Sequence, residues 1–210
     1  MRGKFITFEG GEGSGKSTQI KLLSNYLKTL GVPNMILREP GGVAISEQIR
    51  QVILDTKNQN MDSMVELFLF MASRRQNVIE RIIPTLEEGC WVLCDRFHDS
   101  TTVYQGICRG LGLSLTDALN KLAIDRAVPD LTLWFDIDPE IGLSRIGTRG
   151  DLTRIDAESL EFHKNVREGY NTLYGIEDRI HRVDAGRSIE DVYDVVCGLV
   201  NEFLDAKSFK

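Results

Sequence analysis

The stretch Gly10-Gly11-Glu12-Gly13-Ser14-Gly15-Lys16-Ser17-Thr18 has the residue types and spacing to hold a chain of phosphates. It fits the pattern of Gly, four residues, Gly, Lys, then Ser or Thr. The glycines let the backbone curl so that successive N–H groups converge on phosphate oxygens, where Cβ atoms would obstruct them. A helix beginning at the end of the loop adds unsatisfied N–H groups and the positive end of its dipole. Lys16 is spaced to reach the β- and γ-phosphates, and the Ser17 hydroxyl to hold Mg²⁺. The stretch therefore predicts binding of a nucleoside triphosphate with its metal.

Other residues complete a reaction. Asp95 and Arg96 follow the apolar run Trp91-Val92-Leu93-Cys94. A carboxylate at the end of such a strand holds Mg²⁺, directly or through water, in phosphate-loop enzymes; a helix cap or a surface ion pair is the plain alternative. Arg96 is a planar five-donor cation suited to a phosphate. The loop already serves the triphosphate, so a second phosphate site points to an acceptor carrying its own phosphate. Arg74 is an anomaly. Leu67, Met71, Val78 and Ile82 form an apolar stripe at helical spacing, and Arg74 falls on it one turn after Phe70. A guanidinium facing the interior needs a partner. It either makes a structural ion pair, or Phe70 stacks on a flat ring while Arg74 donates to the ring's edge. The residues leave both open.

Arg145, Arg149 and Arg154, with Gly147, Gly150 and Asp151, suggest a mobile cationic segment over about 145–156. Such a segment can close over a transferring phosphoryl group and exclude water, although a solvated charged loop has the same composition. A phosphate monoester is largely ionised at pH 7 and needs no general base, whereas a hydroxyl acceptor does. Glu39 is the obvious candidate base if Asp95 serves the metal. The residues favour a phosphate acceptor.

The elements that must position these groups can be read from periodicity. Phe5-Ile6-Thr7-Phe8, Met35-Ile36-Leu37, Trp91-Val92-Leu93-Cys94, Leu131 to Phe135 and Ile180 to Val183 read as buried strands. Helices are expected after the loop up to Gly31, through Ile45, Ile49, Val52 and Ile53, and from about Ser63 to Ile83 with Pro84 disturbing the end. Further helices are expected around 99–108, 114–126, from Pro139, over 157–173, and from Ile189 to Phe203. Arg38 to Gly42 reads as a turn and 56–62 as a loop. The alternation predicts an α/β fold, a parallel five-stranded sheet with helices on both faces, in a single domain over 1–210. Ligands of such sheets bind beyond the carboxyl ends of strands, where the phosphate loop, Glu39 and Asp95-Arg96 all fall.

Composition narrows the class. The chain has 210 residues, 42% apolar and 27% charged, as expected of a globular domain with a substantial core. A net charge of −6 argues against a nucleic-acid binder with a broad basic surface. No membrane-length apolar run or signal-peptide pattern is visible. Cys90, Cys94, Cys108 and Cys197 include no CxxC, and Cys90 and Cys94 flank a strand, so they read as buried free thiols in a reducing, cytoplasmic setting. His98, His163 and His181 show no metal-ligand spacing.

Several stretches together resemble the thymidylate kinases of the bacterial type, nearly end to end. They are Phe8 to Thr18, Arg38-Glu39-Pro40-Gly41-Gly42, Ala72-Ser73-Arg74-Arg75-Gln76, Asp95-Arg96, Ser100-Thr101, Tyr104-Gln105-Gly106, Pro129 to Leu133 and the arginine-bearing segment. The resemblance implies a P-loop fold of the nucleoside monophosphate kinase type. It implies transfer of the ATP γ-phosphoryl to thymidine 5′-monophosphate (dTMP) with Mg²⁺, in a homodimer. It assigns Phe70 to stacking on thymine, Arg74 to its edge, Arg96 to the acceptor phosphate, and Ser100, Thr101 and Gln105 to the base side. Tyr104 would pack under the sugar, Glu12 would lie near it, and Glu39 and Pro40 would lie on the substrate side. Arg149 maps to the catalytic arginine of the closing segment. Gly147 stands where the family often has a further arginine, and Thr153 where Asp is common before Arg154, so the resemblance assigns no role to Arg145 or Arg154. Two rivals remain. A deoxynucleoside kinase would use Glu39 as base. A nucleotide-dependent switch would need a guanine-reading Asn-Lys-x-Asp, which Asn120-Lys121-Leu122-Ala123 does not supply.

Overall fold

The computed structural model describes residues 2–147 and 152–205, without the side chains of Phe203 and Asp205. Five strands, β1 (Phe5–Glu9), β2 (Asn34–Arg38), β3 (Trp91–Asp95), β4 (Leu131–Asp136) and β5 (Ile180–Asp184), form one sheet in the order β2-β3-β1-β4-β5. Every neighbouring pair is parallel. The helices are α1 (Lys16–Thr29), α2 (Ala44–Leu54), α3 (Ser63–Asn77), α4 (Ile83–Glu87), α5 (His98–Thr101), α6 (Leu113–Ile124), α7 (Pro139–Ile146), α8 (Leu160–Tyr174) and α9 (Ile189–Asp205).

Alternation along β1 sorts the two faces of the sheet. Ile6 and Phe8 pack with Ile20, Leu23 and Leu27 of α1 and Val192, Val196 and Val200 of α9. Phe5, on the opposite face, packs with Val78, Ile82, Leu86 and Phe97. Near the far edge Trp134, Val166 and Tyr170 close that same layer with Val103 and Tyr104. Strands buried on both faces explain why their sequences run apolar rather than alternating. No helix among the described residues is long and apolar enough to cross a membrane.

Three points of the sequence reading are modified. The helix from Ser63 does not end at Pro84. It widens into a π-helical run, Val78–Ile82, and continues as α4 to Glu87. Pro84, which has no N–H to give, follows directly on this widened turn, where the ladder of i to i−4 bonds is already interrupted. On α2 only Ile53 of the four spaced apolar residues is fully buried, while Ile45 and Val52 are about half exposed (50% and 46%). The cysteines are free, but Cys90, just ahead of β3, is half-buried where Cys94 is buried.

Candidate active site

The carboxyl ends of β1, β2 and β3 lie side by side, with Phe8 opposite Asp95 and Asp95 opposite Arg38. From β1 the chain turns through Gly10 at φ 132° and enters α1 through Gly15 at φ 85°. Gly10 has no room for a Cβ, which would stand 2.4 Å from the Phe135 carbonyl oxygen. The Lys16 ammonium folds back over the loop, donating to Gly10 O (3.0 Å), Gly11 O (2.8 Å) and Ser14 Oγ (3.0 Å). Burial, with Arg96 adding to it, pushes the Lys16 amine down to about 8.

Ser17 Oγ donates to Asp95 Oδ2 at 2.7 Å, which joins the loop to the end of β3. A hydroxyl and a carboxylate in contact are the hard oxygen donors Mg²⁺ takes, and the remaining ligands would be phosphate oxygens and water. Among the described residues no cluster of three His, Cys, Asp or Glu side chains could hold a metal by itself. Arg96 adopts φ 67°, a left-handed conformation costing a non-glycine residue about 1–3 kcal/mol. Its guanidinium donates to Glu12 Oε1 at 2.5 Å and to Gly10 O at 2.9 Å, and lies over the Tyr104 ring. Tyr104 also donates to Glu12 Oε1, at 3.0 Å. Burial pushes the Glu12 carboxyl up, but Arg96 and Lys16 outweigh it and hold it at about 2.

One cavity of about 390 Å³ extends from the loop to Phe70 on α3. Its walls include Glu12 to Thr18, Glu39, Pro40, Asp95 and Arg96, together with Phe70, Ser100, Thr101, Tyr104 and Gln105. Residues far apart in sequence are thus brought together. Gly10 and Gly11 stand behind the wall, their carbonyls on Lys16. Arg74 is also behind it and 1% exposed. It donates to Glu39 Oε2 (2.8 Å), Thr101 Oγ1 (2.8 Å), Asn120 Oδ1 (3.0 Å) and Phe97 O (3.0 Å). The interior partner that its position on the stripe demands is therefore Glu39, with Asn77 donating to the other carboxylate oxygen at 3.2 Å. Arg149 lies outside the described residues.

Sequence periodicity missed several participants. Arg50 of α2 lines the cavity and donates to Pro40 O at 2.7 Å. Glu9 is completely buried and accepts from Phe97 N (2.7 Å), Ser100 Oγ (2.6 Å) and Tyr170 OH (2.8 Å). Its signal was available, since a carboxylate ends an apolar strand directly before the glycine loop. Of the arginines already named in the cationic segment, Arg154 is buried, with Nε on Ile53 O at 3.0 Å and Nη2 on Glu66. Arg145 donates to Gly13 O (3.4 Å) and Ala185 O (3.3 Å).

Comparison with known proteins agrees with this geometry. The thymidylate kinase family profile matches residues 8–196. The chain is 47% identical over 202 residues to the thymidylate kinase of Clostridium novyi, covering 95% of this chain and 98% of that one. It is 46% identical over 206 residues to that of Shouchella clausii, covering 97% of each. The crystal structure of thymidylate kinase from Ehrlichia chaffeensis superposes with a TM-score of 0.78 at 35% identity, covering 96% of this chain and 99% of that one. A glycine loop, a hydroxyl–carboxylate pair beside it and an arginine held against the loop thus line one cavity in a chain that matches one family over nearly all of its length, and this chain belongs to the thymidylate kinase family.

Proposed function

We infer that this chain transfers the γ-phosphoryl group of ATP to dTMP, giving ADP and thymidine 5′-diphosphate. The observation that carries the reading is the single cavity that joins a triphosphate loop to Arg96 and to Phe70 and Gln105. The acceptor phosphate oxygen is already ionised, so attack on the γ-phosphorus needs no general base. Catalysis then rests on holding two anions in line and stabilising charge on the transferring group. Lys16 would leave the loop carbonyls for the β- and γ-phosphates, whose charge favours its protonated form. Arg96, held by Glu12, would take the acceptor phosphate. Phe70 would stack on the base, with Ser100, Thr101 and Gln105 along its edge, and Tyr104 beneath the sugar. Arg74 has one Nη2 hydrogen beyond its four bonds, and we assign that hydrogen to the ring edge.

Ser17 and Asp95 are the residues that would hold Mg²⁺, which when bound neutralises phosphate charge. Arg149 is assigned to the transferring phosphoryl group, on a segment of about 145–156 that closes over the site within a single domain. A homodimer is proposed through α2 and α3, which leave Ile45, Val52, Val65 and Phe68 about half exposed. The setting is taken as cytoplasmic, and no nucleic-acid partner is proposed. The test is acceptor-dependent ADP release from Mg·ATP with dTMP, dUMP, dCMP, GMP, AMP and thymidine offered separately. Preference for dTMP is expected. Activity on thymidine alone would recast the chain as a nucleoside kinase, with Glu39 as its base.

A further inference from the structure

Glu66 lies on α3, 1% exposed, outside the cavity wall. Its carboxylate gathers donors from three residues, two of them four positions apart in the chain. Gln105 Nε2 donates to Oε1 at 2.7 Å, Arg109 to both oxygens at 3.3 and 3.4 Å, and Arg154 Nη2 to Oε2. Glu158 accepts from Arg109 at 2.6 Å, so two carboxylates balance two guanidiniums. Burial would raise the Glu66 carboxyl, but Gln105, Arg109 and Arg154 together hold it below its ordinary value. An ionised carboxylate has no hydrogen to give. The end of the Gln105 amide that meets it must therefore be the NH₂, which fixes the orientation of this amide.

The consequence lies on the other side of Gln105. That residue is 1% exposed and lines the cavity beside Phe70 and Thr101. With its nitrogen held by Glu66, the amide oxygen is the end left for a ligand, and no hydrogen bond from the described residues reaches it. We propose that Glu66 is a positioning residue for base selection: it holds the Gln105 amide so that the cavity presents a hydrogen-bond acceptor to the acceptor nucleotide's ring. An acceptor at that place suits a pyrimidine with a ring N–H, as in thymine and uracil. It opposes cytosine, whose corresponding ring nitrogen is itself an acceptor and would leave two lone pairs facing each other. This inference rests on the dTMP reading above and adds what enforces it.

Glu66→Gln tests it. The two arginines claim the oxygen of the new amide, its NH₂ turns toward Gln105, and Gln105 reverses to present its own NH₂ to the cavity. The kcat/KM for dTMP is expected to fall about 10- to 100-fold, while the dCMP-to-dTMP ratio of kcat/KM rises at least about tenfold. A general loosening of the fold would lower both acceptors together and leave that ratio unchanged, and such a result overturns the proposal. The unaltered protein supplies a second readout that needs no variant to fold. The side-chain ¹⁵N–¹H signals of Gln105, assigned by their absence in Gln105→Leu, should include one strongly downfield, slowly exchanging N–H. Two ordinary, fast-exchanging signals overturn the proposal even if Glu66→Gln cannot be purified. Failure of the unaltered enzyme to use dTMP would instead refute the functional reading.

Discussion

Glu9 ends β1 with no exposed surface, and its three partners are a backbone N–H and two hydroxyls rather than a cation. Burial, reinforced by the nearby charge of Asp99, raises its carboxyl from 4.5 to about 7. A folded value above the ordinary one means that its contribution to stability is complete below about 4.5 and is lost as pH rises through about 7. Glu9→Gln removes that titration. The stability of the native protein relative to this variant is therefore expected to fall by up to roughly 3 kcal/mol between pH 4.5 and 8. Urea unfolding of both proteins across that range measures it, and parallel curves would contradict it. The residue was visible in the sequence beside the glycine loop, but its burial was not. Arg74 teaches the same lesson from the other side. Its place on an apolar stripe announced an interior guanidinium, yet only packing revealed that Glu39, Thr101, Asn120 and the Phe97 carbonyl surround it.

At the scale of elements, the junction between α7 and the phosphate loop controls the site. A Cβ on Gly142 would stand 2.3 Å from the Glu12 carbonyl oxygen, and one on Gly13 would stand 2.0 Å from that of Gly142. Backbone meets backbone here, so no side chain can swing aside. Gly142→Ala sets two effects in opposition. Alanine favours a helix by about 0.5–1 kcal/mol, whereas forcing atoms into a packed contact costs about 1–3 kcal/mol. The clash should win. We expect a lower melting temperature and a KM for ATP raised about tenfold, about 1.4 kcal/mol of lost binding, read by thermal melts and ATP titration. A higher melting temperature with unchanged KM would show that the contact is slack. The periodicity of α7 was legible, with Asp138 capping Glu140 N at 2.8 Å and Pro139 following. The role of its glycine was not, because nothing local distinguishes a glycine pressed against another loop. The π-helical run before Pro84 was hidden for a related reason, since i+3 and i+4 spacing of apolar residues survives one widened turn.

At the scale of the whole molecule, α2 and α3 leave Ile45, Val52, Val65 and Phe68 between 46% and 55% exposed although the two helices pack on each other. If this face joins two copies, Phe68→Asp should shift the protein to monomer by sedimentation velocity, with the fold intact by circular dichroism. An unchanged sedimentation coefficient would remove this face from consideration. What the sequence determined by itself is what local chemistry and short periods encode: five apolar strands, the helices between them, the phosphate loop, and the Asp95-Arg96 pair at a strand's end. The sheet order β2-β3-β1-β4-β5 was not encoded locally, because strands buried on both faces carry no mark of their neighbours. That order sets Ser17 against Asp95 and Glu12 against Arg96, and the packing of the helices over the sheet sets Glu66 against Gln105. Each pair joins residues remote along the chain, and hydrogen bonds between such residues exist only once the sheet and its covering helices have fixed their distances. Tertiary structure alone decided them.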